Sequence, residues 1–164
     1  MRHAITLVTT AMLLGFWSAP GLADQKLAFA TCALVKAPFL GHELYRGTSG
    51  GGCSWGLTAP DGVTLENEVL NAHTTRAIPK EQLAAGVEAR LQAYRAVVAQ
   101  GVGELVPLAL CDGGWFIRSD ERPTKPIRNG FYTCGHDLVE VEAQGPESIK
   151  QFLPVARGML RLVR

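Results

Sequence analysis

The chain has 164 residues, in which 16 Lys and Arg face 15 Asp and Glu, a formal charge of +1. So even a balance creates no broad field to concentrate nucleic acid or anionic lipid, and those partners are set aside. The length suits a single domain.

The first element is an export leader. Met1-Arg2-His3 is a short basic start, and Ala4 to Trp17 is an uncharged, mainly apolar run. Ser18 to Ala23 follows, with Gly21 and Ala23 as the small residues that a signal peptidase accepts. Cleavage is expected before Asp24, giving a leader over 1–23 and one exported domain over 24–164. The apolar run is shorter than the roughly 20 residues that span a bilayer. No second run is long enough, so no membrane span is expected in the mature chain. Cys32 follows Phe29-Ala30-Thr31 and lacks the small pair that precedes a lipidated cysteine. The expected location is the periplasm or the medium.

Asp24 to Gly41 carries apolar residues at spacings compatible with helix, interrupted at Pro38. Gly47 to Gly52 reads as a turn, and it lacks the Gly-Lys-Ser/Thr end of a phosphate-binding loop. Cys53 to Thr58 alternates Cys53, Trp55 and Leu57 on one face, which predicts a strand. Pro60-Asp61-Gly62 is a turn, and the alternating run from Val63 to Asn71 completes a hairpin. On that second strand, Glu66 and Glu68 are expected on the outer face.

Pro79 opens a helix, Leu83, Val87, Leu91, Tyr94 and Val98 form its stripe, and Gly101 ends it. Leu105 to Leu110, broken by Pro107, predicts a strand at a sheet edge. Trp115-Phe116-Ile117 is a short strand, and Ser119 to Asn129 reads as a long polar loop. Phe131 to Cys134 and Leu138 to Ala143 form a hairpin about Gly135-His136-Asp137. Val139, Val141 and Ala143 are expected inward, with Glu140 and Glu142 toward water. A last helix starts at Pro146, where Pro154 should kink or split it.

The four cysteines Cys32, Cys53, Cys111 and Cys134 form an even set in an exported chain, which predicts two disulfides. The pairing Cys32–Cys53 and Cys111–Cys134 closes two short loops. Close Cys pairs of the kind that hold zinc are missing, so no metal and no cofactor is expected.

Two halves run in a similar order. Glu43-Leu44, Cys53-Ser54-Trp55, a strand and a proline-started helix are followed by Glu104-Leu105, Cys111 to Trp115, a strand and another such helix. The expected fold is α+β: an antiparallel sheet with two long helices on one face, built from a pseudo-duplicated unit.

Cys32-Ala33-Leu34-Val35, Gly41 and Gly52-Cys53-Ser54-Trp55, with the later Gly101-Val102-Gly103-Glu104, resemble a group of small bacterial envelope proteins. The group includes actinobacterial lipoproteins and the extracytoplasmic sensor domain of a mycobacterial Ser/Thr kinase. The resemblance implies an α+β domain with a ligand- or protein-sensing role, and supplies no catalytic residues. The lipid-anchoring cysteine is not present here, so anchorage does not carry over.

The chemistry-bearing residues make no catalytic constellation in sequence. No G-x-S-x-G nucleophile elbow and no C-x-x-C redox pair occurs. His136 beside Asp137 is the one candidate base for a small envelope hydrolase. The leading expectation is instead a binding module for a small ligand or for an envelope or secreted protein, of the inhibitor or immunity kind. Its candidate partner-binding residues are Trp115, Arg118, Arg122 and Arg128, at or near the polar loop. Trp55 and Trp115 each lie close to a cysteine and are expected to pack on a disulfide, or else to serve as exposed anchors. A purely structural envelope protein is the third reading.

Overall fold

The computed structural model describes residues 30–36, 38–47, 50–59 and 61–163, so the leader at 1–23 lies outside the described residues. Seven strands pair into one antiparallel sheet: β1 (Phe39–Gly47), β2 (Gly50–Thr58), β3 (Thr64–Thr75), β4 (Glu104–Leu108), β5 (Gly113–Ser119), β6 (Ile127–Cys134) and β7 (Asp137–Gln144). Their spatial order is β1-β2-β3-β7-β6-β5-β4. Two meanders thus meet at the central β3–β7 pair, where Ala72 faces Val141 and Leu70 faces Ala143. Helix α1 (Lys80–Ala99) joins the meanders, and α2 (Ser148–Val163) follows β7.

The expected class, an antiparallel α+β fold with Cys32–Cys53 and Cys111–Cys134 bridged, is present, with Cα–Cα distances of 5.3 Å in both bridges. The helices, however, do not share a face. Phe131 and Tyr132 are neighbours on β6 and so point to opposite sides. The Phe131 ring lies 5.6 Å from that of Tyr94 on α1, whereas the Tyr132 hydroxyl donates to the Ala156 carbonyl of α2 at 2.7 Å. The reason is visible in the strands, because β5 and β6 are apolar on both faces and each face needs a cover.

The two covers differ in quality. From α2, Phe152, Val155, Ala156 and Met159 are almost wholly buried against Trp55, Leu70, Tyr132, Val139 and Val141. From α1 only Leu91 is buried. That helix is also anchored by the Tyr94–Phe131 ring contact, the ion pair of Arg90 with Glu140 at 2.7 Å and the hydrogen bond from Tyr94 to Asn129 at 2.9 Å.

Other expectations shift with the sheet. Of the helix expected before Gly41, residues 30–32 are helical and run into a turn at 33–35, the stretch at 24–29 lies outside the described residues, and Phe39–Gly47 is a strand rather than a continuation of the helix. The glycine run enters β2, with Gly47 paired to Gly50, and a Cβ on Gly50 or Gly52 would collide with Thr74 or His73 of β3. The loop expected over Ser119 to Asn129 is shorter, since β6 starts at Ile127. Pro154 sits inside an unbroken α2 on its exposed side, so the helix is not split. As expected, β4 with Pro107 is an edge strand, where a missing N–H costs least.

Glu68 corrects the strand-face assignment. It lies on the buried face with Leu70 and Ala72, and its Oε2 accepts from both the N–H and the hydroxyl of Ser148 at 2.7 Å. Its Oε1 accepts from the Glu147 N–H at 3.1 Å. A strand carboxylate thereby caps the N-terminus of α2 from across the core, satisfying donors that a helix start leaves open. The side chains of Glu66 and His42 lie outside the described residues.

Candidate functional site

The segment over 30–36, helical at 30–32 and then a turn, pairs with no strand among the described residues. It is held to β2 by the Cys32–Cys53 bridge and by the Trp55 indole, whose Nε1 donates to the Cys32 carbonyl at 2.9 Å. Its Leu34 lies against Gly158 of α2, where a Cβ would come within 2.7 Å of the Leu34 methyl. Bridged to the sheet at one point and resting on the helix at another, the turn roofs a cleft of about 670 Å³. Such a volume lies within the range of small-molecule sites, roughly 300 to 1,000 Å³.

The cleft wall is apolar, formed by Leu34, Val35, Phe39, Leu57 and Leu65. Phe39, Leu57 and Val35 also belong to the core, so that part of the wall is set by packing, while Leu65 is exposed. The polar part of the lining comes from Lys36, Thr58, Glu147 and Gln151. Glu147 is already paired with Lys150 at 2.5 Å. The exposed ammonium of Lys36 has no carboxylate partner among the described residues.

The residues expected to bind a partner are not brought together. Trp115 points to the α1 side, half-buried beside a cavity of about 450 Å³ that it lines with Pro107, Gly114 and Phe131. Arg118 and Arg128 lie opposite each other on β5 and β6, on the α2 side. Arg118 pairs with Glu104, and Arg128 with Asp120 at 2.8 Å. The hydrogen bond from Arg128, together with its charge, holds the Asp120 carboxyl below the usual carboxylate range. Arg122 is exposed in the short loop over 120–126. The cluster is therefore largely neutralised by its own acids. Trp55, the other split reading, is fully buried beside the first disulfide.

His136 ties two loops together. Its Nδ1 lies 3.1 Å from the Ile78 carbonyl, and its own carbonyl accepts from the Ile78 N–H at 2.9 Å. Asp137 turns away from the ring to accept from the Ala77 N–H at 3.0 Å and to face Arg76 at 3.5 Å. The ring thus lacks the orienting carboxylate of a nucleophile–base–acid set. No cysteine is free, and no group of three metal-binding side chains occurs among the described residues.

Sequence reasoning missed the cleft. Phe39 and Leu57 read as core, which they partly are, and Lys36 carries no motif. The available signal was Leu65, exposed beside a Pro-Asp-Gly turn, in a strand otherwise flanked by acids. Comparison with protein-family models, with curated proteins and with solved structures finds no match to this chain.

Proposed function

We propose that this chain is an exported binding module, working in the periplasm or outside the cell, that takes a small, mainly apolar ligand into the cleft under the 30–36 turn. The observation that carries the reading is the cleft itself, about 670 Å³ with a mainly apolar wall and polar lining limited to Lys36, Thr58, Glu147 and Gln151. The two disulfides fit an oxidising compartment. Among the described residues no helix is long and apolar enough to cross a membrane. The sensing role implied by the resemblance of the Cys32 to Trp55 segment points the same way. The hydrolase alternative has nothing to support it beyond His136, which is occupied with Ile78.

The test uses phenylnaphthylamine, an uncharged dye that brightens in apolar cavities. The mature, oxidised protein should enhance its fluorescence saturably, and Ala59→Trp, which fills the mouth of the cleft, should abolish the enhancement with unchanged circular dichroism. Absence of saturable enhancement in the wild type, or full enhancement in Ala59→Trp, would refute the cleft as the site.

A further inference from the structure

Resting on the cleft reading, we infer the class of ligand: a single-chain amphiphile with a carboxylate head, its alkyl chain in the cleft and its head at Lys36. Three observations converge on this chemistry. The wall offers no buried polar side chain, since Leu34, Val35, Phe39 and Leu57 present only hydrocarbon. A ligand with polar groups along its body would leave them unsatisfied, which disfavours sugars, nucleotides and peptides.

Among the described lining residues one charge is uncommitted, and it is positive. Glu147 is neutralised by Lys150, whereas Lys36 has no carboxylate partner among the described residues. A cationic head would meet Lys36 with no free anion to offset it. A carboxylate gains an ion pair there and stays in water, so it avoids the cost of burial.

The start of α2, which also borders the cleft, is closed to an anion. Its N–H groups at Glu147 and Ser148 already donate to the Glu68 carboxylate, which fills that positive end of the helix. The head group is therefore directed to Lys36 and not to the helix terminus. Chain length then sets affinity, because each buried methylene is worth about fourfold in binding.

Titration calorimetry with octanoate, dodecanoate and dodecanol tests the assignment on the mature wild type, Lys36→Gln and Ala59→Trp. Dodecanoate should bind the wild type much more tightly than octanoate. Lys36→Gln should weaken dodecanoate roughly threefold to fivefold, as an exposed ion pair allows, and leave dodecanol unchanged. The difference should shrink at high salt. Equal binding of dodecanoate to wild type and Lys36→Gln overturns the head-group assignment. Phenylnaphthylamine bound but dodecanoate not bound overturns the ligand class while the cleft stands. Neither bound overturns both.

Discussion

Glu68 and Ser148 lie 80 residues apart in sequence, yet one carboxylate oxygen of Glu68 accepts two hydrogen bonds from Ser148, each at 2.7 Å. The contact joins the middle of the sheet to the helix that covers it. Removing it uncovers two backbone donors and a buried hydroxyl. Glu68→Ala should therefore cost about 2–3 kcal/mol of stability, at the upper end of capping effects. Glu68→Gln keeps one acceptor and should cost less. Urea unfolding of both variants measures the order, and equal costs would show that a neutral acceptor recovers nothing of the contact, which then depends on the full carboxylate.

The two disulfides close loops of nearly equal separation, 21 and 23 residues, so their loss should cost similar stability. Each double replacement, Cys32→Ser with Cys53→Ser or Cys111→Ser with Cys134→Ser, is expected to cost about 3 kcal/mol, lowering Tm by roughly 10 °C. Their functional effects should differ. Only the first bridge ties down the turn that roofs the cleft, so only its removal should end phenylnaphthylamine binding below the melting temperature. Dye titrations of the two variants at low temperature compare them directly.

Tyr94 is held protonated on the α1 side of the sheet. Burial, aided by the charge of Glu140, raises its pKa from 10.0 to about 12. The unfolded chain then releases this proton more readily than the folded one. The stabilising contribution is complete below pH 10 and is lost as pH rises from about 10 to about 12. Burial raises the pKa of Tyr132 as well. Ultraviolet titration should show both phenols ionising later than free tyrosine. The alkaline fall in Tm should be shallower in Tyr94→Phe over that interval.

The unequal seating of the helices predicts unequal dynamics. Five residues of α2 are buried, against Leu91 alone on α1, and α1 borders three cavities of about 280 to 450 Å³. Local opening follows sparse burial. Backbone amides of α1 should exchange with deuterium well before those of α2. Arg90→Ala should speed α1 further while leaving α2 unchanged, as followed by peptide-resolved mass spectrometry. Concerted exchange of both helices would mean that they open only with the whole molecule.

The internal similarity seen in sequence has a structural counterpart in another register. Each bridge ties the segment that enters a run of three consecutive strands, β1–β3 or β5–β7, to the middle strand of that run, Cys32 to Cys53 on β2 and Cys111, which follows β4, to Cys134 on β6. Cys53 thus corresponds to Cys134, not to Cys111 as the Cys-to-Trp spacing suggests. The match between Trp55 and Trp115 is therefore compositional. One is sealed in the core on the α2 side, while the other is half-exposed on the α1 side.

What the sequence determined by itself was the local part of the fold. The alternation of Cys53, Trp55 and Leu57, the stripe from Leu83 to Val98, the turn at Gly135-His136 and the two short cysteine loops all depend on neighbours within a few turns or a short loop. Consecutive apolar pairs, Phe131-Tyr132 and Trp115-Phe116, already carried the sign of a sheet covered on both faces. Which helix covers which face was decided by the joining of β3 to β7, a contact between strands more than 60 residues apart. That same pairing brings Glu68 to the start of α2 and sets the 30–36 turn over it, leaving the space that forms the cleft. Periodicity reports what one segment buries; only the order of strands in the sheet settles what it is buried against, and where a gap remains.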